Sequence, residues 1–197
     1  MSVSASQVKE LRIATGAPIL DCKKALLDSQ GDFDQAVDWL RKKGLSTAAK
    51  KSGRDASEGV IDSYIHQGNR VGVIIEVNCE TDFVARSDDF LSLVHNVLLH
   101  IAMANPICLD KDDLPEEYLS KEEELYREQA IKEGKPADIV DKVVAGKLEK
   151  YYKQVCLLRQ PFIKDEDQTI QDLVNNAIAK FGENIIVHRF VRYELGK

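Results

Sequence analysis

Apolar residues in the first quarter of the chain recur at intervals of three and four positions. Three sets follow this spacing: Val8 and Leu11; Ile19, Cys22 and Leu26; Phe33, Ala36, Val37 and Leu40. The period predicts three short helices within 4–44, ending at Gly16, Gly31 and Gly44. Helices this short are not stable alone, so they must pack together. We therefore predict a three-helix module over 1–45, of a size that suits binding or docking rather than catalysis.

The predicted helix starts carry recognisable signals. Pro18 suits the first turn of the second helix, and Asp32 with Gln35 forms a capping-box-like pair at the start of the third. After Gly44 the sequence is rich in Ala, Ser, Gly and Lys, with little apolar surface to bury. We therefore predict a linker over 46–58, with some helix in its first turns, and an α+β core over 59–197.

Two alternating runs, "GVIDSYIHQ" and "RVGVIIEVNC", flank Gly68-Asn69. Alternation on either side of a two-residue Gly-Asn loop predicts a β-hairpin. One face of the second strand would carry Val71, Val73, Ile75, Val77 and Cys79. A last alternating run, "NIIVHRFVRYEL", can join the hairpin, so the core is predicted to hold a small antiparallel three-stranded sheet. Apolar residues on both faces of the last strand (Val187 and Val191 on one, Ile186 and Phe190 on the other) make a homodimer through the open face one solution.

Helical segments surround the predicted strands. Ser87 can cap a helix that stops before Pro106, and "TIQDLVNNAIAKFG" predicts a helix that ends at Gly182. Between them, 115–155 reads as two helices joined by "EGK", and so short a joint makes them an antiparallel, projecting hairpin. The residues predicted to face each other across it are Leu119, Leu125 and Ile131 with Ile139, Val143, Leu148 and Tyr152. The stretch "RQPFIKDEDQ" is predicted to be a loop.

Composition narrows the class of protein. No apolar run approaches membrane-spanning length and the start lacks the layout of a signal peptide, so we expect a cytoplasmic protein with no membrane partner. The four cysteines, at positions 22, 79, 108 and 156, form no CxxC pair and are best read as buried thiols.

Charge is uneven along the chain. The formal net charge of −6 argues against nucleic acid as the main partner. Residues 1–54 hold ten Lys/Arg against six Asp/Glu, whereas 110–135 hold ten Asp/Glu against five Lys/Arg. Regions of opposite sign suit a protein partner with its own charge pattern, although solvated helix faces give the same pattern.

Motifs for catalysis are absent from the sequence. It contains no GxSxG, no P-loop and no HExxH, and no histidine has an obvious carboxylate or cysteine partner at ligand spacing. Glu80 and Asp82 are close in sequence, but one carboxylate pair without a nucleophile or a third ligand is weak support for a hydrolase. We therefore expect a binding protein, with no catalytic residue, metal site or cofactor. An RNA-binding or ribosome-associated module that uses the basic stretch 41–54 is the alternative.

The stretch "NCETDFVAR" (78–86) follows the second strand and breaks its alternation. A large aromatic residue, Phe83, comes after three polar residues. From the pattern alone it can either close the turn as a core residue or be held out towards a partner, with a slight preference for the core.

Five segments together closely resemble the elongation factor Ts family, in order along essentially the whole chain. They are "VKELRIATGAPILDCKKAL" (8–26), "AAKKSGRDASEG" (48–59), "VGVIIEVNCETDFVAR" (71–86), "VCLLRQPFIKD" (155–165) and "HRFVRYELG" (188–196). This family is the guanine-nucleotide exchange factor of bacterial and organellar translation. The resemblance implies elongation factor Tu as the partner, in its GDP-bound and nucleotide-free forms.

The resemblance also implies site residues. Thr81, Asp82, Phe83 and Val84 match the segment that the family presents at the partner's nucleotide site, with the aromatic ring as a wedge that disturbs the Mg²⁺ and phosphate end of the GDP site. The N-terminal module corresponds to a ubiquitin-associated-like docking module.

In that module the arginine at position 12 matches the family's docking-helix arginine, and Ile19 and Leu20 replace two methionines common in the family ("GMMDCKKAL" there, "APILDCKKAL" here). The chain carries the hairpin unit once, as in short members, so a second chain could supply the missing half in a homodimer.

Overall fold

The structure is a computed structural model that describes residues 3–197. In chain order its elements are α1 (Ala5–Thr15), α2 (Ile19–Asp28), α3 (Phe33–Lys51), β1 (Glu58–Ile65), β2 (Val71–Cys79), α4 (Asp82–Ala85), α5 (Asp88–Ala104), α6 (Glu116–Lys132), α7 (Ala137–Val155), β3 (Pro161–Phe162), β4 (Asp165–Thr169), α8 (Ile170–Phe181) and β5 (Ile185–Glu194). Strands β1, β2 and β5 form one antiparallel sheet in the order β1-β2-β5. The predicted α+β class is confirmed. No helix within the described chain has the length and apolar character needed to span a membrane.

The described residues divide into two compact units. The first contains the residues up to Tyr64 together with Ile74–Asn96 and Gln171–Val191, and the second contains Ile65–Val73, Val97–Ile170 and Arg192–Lys197. The predicted division into a docking module (1–45), a linker (46–58) and a core (59–197) rests on sequence patterns rather than on contacts, and it stays a prediction.

The first three helices pack around one small core in the first unit. Its buried residues are Val8, Leu11, Cys22, Ala25, Leu26, Ala36 and Leu40, with Phe33, Val37 and Trp39 packed against them. Ser4 caps α1 in a reciprocal box with Gln7, and the predicted Asp32 cap of α3 accepts from the Gln35 backbone N–H at 2.9 Å. Ile19 shares its spacing with Cys22 and Leu26, but it is exposed whereas those two are buried.

Helix α3 does not end at Gly44, as the sequence pattern suggested. It continues to Lys51, and both Gly44 and Ala48 are buried. Helix α3 is bonded to α8 and to the residue after it: Arg41 pairs with Asp172 at 2.8 Å, and the Lys51 ammonium donates to the Gly182 carbonyl. Good helix formers after Gly44 and these contacts outweigh the modest cost of a glycine inside a helix.

The hairpin β1–β2 is present, and alternate residues of β2 are buried from Val73 to Cys79 as predicted. Its loop is longer than two residues, because the His66 N–H donates to the Val71 carbonyl at 2.8 Å and closes the loop over 67–70. Glycine is required at position 59 in β1, where φ is +145° and a Cβ would lie 2.2 Å from the Val77 carbonyl oxygen.

The last strand departs from strict alternation. Ile185 and Val187 are buried, but after Arg189 the more buried positions shift by one residue to Phe190 and Arg192. Val191 is therefore exposed rather than sharing the buried face of Val187. A pure period of two could not predict this shift.

Helix α5 begins and ends where the sequence predicted. Ser87 Oγ accepts from the Phe90 N–H at 3.3 Å, and the helix stops at Ala104, before Pro106. The stretch 159–168, predicted to be a loop, instead contains β3 and most of β4, which pair in antiparallel. Strand β3 has only two residues and β4 consists of polar residues, so the sequence shows no recognisable alternation there.

Helices α6 and α7 pack against each other, and four of the seven predicted contact residues, Leu119, Val143, Leu148 and Tyr152, belong to their shared core. This core is built from Ala130, Val140, Val144 and Leu148, packed with Leu119, Tyr126, Val143 and Tyr152. Three predicted contact residues, Leu125, Ile131 and Ile139, are exposed.

Candidate functional site

The segment after β2 forms one tight turn of helix. Thr81 adopts extended backbone angles (φ −131°, ψ 153°) and caps α4, with its Oγ1 accepting from the Val84 N–H at 3.5 Å. Threonine is a preferred residue at this position because its hydroxyl satisfies a free N–H of the first turn. The break in strand alternation thus marks a helix cap.

The Phe83 side chain points away from the protein interior. It is 84% exposed, the most exposed of the large apolar residues described. Ala85 is buried and Val84 is half-buried, so these two residues hold the turn against the core. Asp82 is half-buried and pairs with Arg86 at 3.3 Å. The ring lies on an ordered turn and is available to contact a partner.

The carboxylate of Glu183, about a hundred positions later in the sequence, accepts hydrogen bonds from this turn. Glu183 Oε2 accepts from the backbone N–H groups of Glu80 (3.2 Å) and Thr81 (3.1 Å), and Glu183 Oε1 accepts from the Thr81 hydroxyl at 2.7 Å. The buried Cys79 thiol adds a weaker donor contact to the Thr81 carbonyl, and burial raises the pKa of that thiol.

A second set of polar contacts lies beside the first. The Asn184 N–H donates to Glu80 Oε1 at 2.6 Å, and this bond, assisted by Arg54, lowers the pKa of the Glu80 carboxyl. The Asn184 side chain, which is buried, donates to the Arg54 carbonyl at 2.8 Å. Glu80 and Asp82 therefore have different cationic partners, Arg54 and Arg86, and do not form a pair. Among residues 3–197 no cluster of three or more potential metal ligands occurs.

The docking residues predicted in the N-terminal module lie at the corner between α1 and α2. Arg12 is exposed, and its carbonyl accepts from the N–H of Gly16, which turns the chain with φ +66°. Ile19 is 55% exposed and Leu20 76% exposed. The sequence reading missed Ile13, which follows Arg12 and is 75% exposed. An isoleucine on the outer face of an amphipathic helix was the available signal.

Contacts within the first unit connect this module to the turn that carries Phe83. Helix α3 packs on α1 and α2 and is bonded to α8 through Arg41 and Asp172. The residue after the end of α8 is Gly182, and the next one is Glu183, which holds the turn. Sequence reasoning missed Glu183 and Asn184, because no local motif marks a residue that acts about a hundred positions away.

Comparisons with known proteins agree with one another. The family model described as Elongation factor TS matches residues 46–197. Elongation factor Ts of Moorella thermoacetica is 56% identical over 195 residues, which cover 99% of this chain and 96% of that protein. Elongation factor Ts of Syntrophus aciditrophicus is 53% identical over 197 residues, covering 100% of this chain and 98% of that protein.

Similarity of this extent continues through the N-terminal module, beyond the part that the family model matches. The elongation factor Ts of Caldanaerobacter subterraneus subsp. tengcongensis, for example, is 53% identical over 99% of this chain and 98% of its own length. The sequence motifs, the α+β fold and these relatives lead to one conclusion: the chain belongs to the elongation factor Ts family.

Proposed function

We propose that this protein is a guanine-nucleotide exchange factor that binds elongation factor Tu·GDP and promotes GDP release by presenting Phe83 near the Mg²⁺ and phosphate end of the nucleotide site. Family membership supports the exchange role and the partner. The proposed mechanism is supported by the exposure of Phe83 on a turn whose backbone is bonded to the rest of the protein. The role of the neighbouring residues Thr81, Asp82 and Val84 is to hold and flank the ring.

The thermodynamics of exchange suits a rigid aromatic wedge. A factor that prefers the nucleotide-free partner must weaken the partner's nucleotide affinity by the same coupling free energy. A phenyl ring buries a large area with little loss of side-chain entropy, so it can contribute strongly to that preference. No residue of the factor has to react.

The N-terminal module would supply separate binding energy. Arg12, Ile19 and Leu20 form an exposed mixed surface, with one cation beside two apolar side chains. Apolar anchors with a flanking charge are typical of protein interfaces. We propose that this surface docks on the partner, while the Phe83 turn acts on the nucleotide site.

The test is the release of fluorescently labelled GDP from elongation factor Tu, followed by stopped flow over a range of factor concentrations. Phe83→Ala should slow the stimulated release at least about tenfold, because truncating a central aromatic anchor commonly costs about 2–4 kcal/mol. Tyr118→Ala, which removes an exposed aromatic from α6, is the matched control and should behave as wild type. A wild-type release rate with Phe83→Ala would rule out the wedge.

The RNA-binding alternative is less well supported by the basic stretch 41–54. Four of its six cations have partners within the protein: Arg41 with Asp172, Lys43 with Asp21, Lys51 with the Gly182 carbonyl and Arg54 with Glu80. Cations held in this way are less available for phosphates. Tight, steeply salt-dependent RNA binding in a gel-shift titration would nonetheless revive this alternative.

A further inference from the structure

The turn that carries Phe83 cannot fix its own geometry. Helix α4 has a single turn, and so short a helix is not stable by itself. The Thr81 cap is also long, at 3.5 Å to the Val84 N–H. The direction in which the exposed ring points must therefore be set by contacts from elsewhere in the first unit.

Glu183 makes three of the polar contacts that hold this turn. Its two oxygens accept three hydrogen bonds, from the N–H groups of Glu80 and Thr81 and from the Thr81 hydroxyl, at 2.7–3.2 Å. Bonds to an ionised carboxylate are stronger than neutral ones. The carboxylate also orients the hydroxyl of Thr81, so that the oxygen lone pairs are available to cap α4.

The position of Glu183 is itself determined by its surroundings. Gly182 ends α8 in a left-handed conformation (φ +72°), with its N–H donating to the Ile178 carbonyl and its own carbonyl accepting from Lys51. The next residue, Asn184, is buried and bonded to Glu80 and to the Arg54 carbonyl. Glu183 is thus held between two fixed neighbours.

We propose that Glu183 is a positioning residue for nucleotide exchange, which fixes the turn so that the ring of Phe83 is presented in one orientation. This inference rests on the proposed wedge function of Phe83. Without the carboxylate the turn would sample several orientations, and the partner would have to order it at the moment of exchange. Binding through the N-terminal module would remain.

The first experiment compares the exchange kinetics of Glu183→Ala with wild type. The limiting rate of GDP release should fall about tenfold, because the turn loses three hydrogen bonds, two of them to backbone N–H groups. The factor concentration at half-saturation should change little, since Arg12, Ile19 and Leu20 are untouched. Glu183→Gln keeps an acceptor oxygen and should recover part of the rate, whereas Glu166→Ala, which removes an exposed carboxylate from β4, should leave it unchanged.

A double-mutant cycle separates positioning from a general structural role. In a Phe83→Ala background, Glu183→Ala should produce no further loss of exchange, because the residue has nothing left to position. Additive losses, or a weaker half-saturation with an unchanged limiting rate, would overturn the proposal. A wild-type rate for Glu183→Ala beside a slow Phe83→Ala would overturn it while leaving the wedge intact; a wild-type rate for Phe83→Ala would overturn both.

Amide hydrogen exchange of the free factor gives a readout without the partner. The backbone N–H groups of Glu80 and Thr81 should exchange faster in Glu183→Ala than in wild type, while those of the buried strand positions Val73 and Ile75 should not change. Equal protection of Glu80 and Thr81 in the two proteins would contradict the proposed restraint.

Discussion

In the second unit, a buried neutral histidine is hydrogen-bonded to residues about sixty positions away in the sequence. His100 is fully buried; its Nδ1 accepts from the Ile163 N–H at 3.3 Å, so its Nε2 donates to Gln160 Oε1 at 2.9 Å. The Gln160 amide in turn donates to the carbonyls of Gln154 and Ala104. Each polar group of the pair is satisfied only while the ring carries one proton.

The free energy of unfolding should therefore depend on pH through His100. Burial lowers the pKa of this histidine in the folded state, below the value of about 6.5 of an unfolded chain. Its contribution is intact above pH 6.5 and is lost as the pH falls towards the folded-state pKa, because the unfolded state takes up the proton first. Urea titrations between pH 7 and 5 should show a fall in stability.

His100→Gln should flatten this part of the stability profile, although it lowers stability at neutral pH. His188→Gln, which replaces an exposed histidine, is the matched control. The same slope in His100→Gln as in wild type would assign the pH dependence to other groups.

At the scale of elements, the pair α6–α7 packs through only part of the predicted face. Both helices were predicted from their Pro115 and Pro136 start signals and the short joint between them. The predicted face combined positions six apart, Leu119 and Leu125, which lie about 120° from each other around a helix. The packed face instead uses intervals of four, as in Val140, Val144 and Leu148.

Truncation at the two kinds of position should separate the packed face from the exposed one. Val144→Ala, at a buried position, should lower the free energy of unfolding by about 1–3 kcal/mol, because it leaves space between the helices. Ile131→Ala, at a position 61% exposed, should change it by less than about 0.5 kcal/mol. Denaturant unfolding measures both, and equal losses would mean that the two faces are assigned wrongly.

At the scale of the whole molecule, the question left by the fold is what covers the open face of the three-stranded sheet. Ile61, Ile74 and Ile186, one from each strand, are exposed, and the chain carries a single copy of the hairpin unit. A second copy of the same chain is a symmetric solution, since an apolar face is complementary to itself. The homodimer remains a prediction.

Light scattering at micromolar concentration should give twice the mass of one chain. Ile74→Glu should return the mass to that of a monomer, because it places a charge in the dimer contact. Ile163→Glu, at an exposed isoleucine in the segment between β3 and β4, should leave the dimer intact. A monomer in the wild-type protein would leave the open face uncovered in solution.

Signals that depend on neighbouring residues explain how much of this fold could be predicted from the sequence. Caps at Ser87 and Asp32, the alternation of β2 and the ends of α5 and α8 depend on neighbours within a few positions, so the sequence determined the α+β class and most element boundaries. Residues 81–84 are singled out by resemblance to a family. Pattern alone had slightly favoured a buried Phe83.

Contacts between distant segments could be identified only from the tertiary structure. Helix α3 is bonded to α8 through Arg41 and Asp172, the turn that carries Phe83 is bonded to Glu183, and neither partner is marked by a local signal. Such pairs are separated by about a hundred residues or more, and only the path of the folded chain brings them together. The sequence by itself therefore determined which elements form and which family they belong to, while the tertiary structure decided which side chains are presented and what holds them.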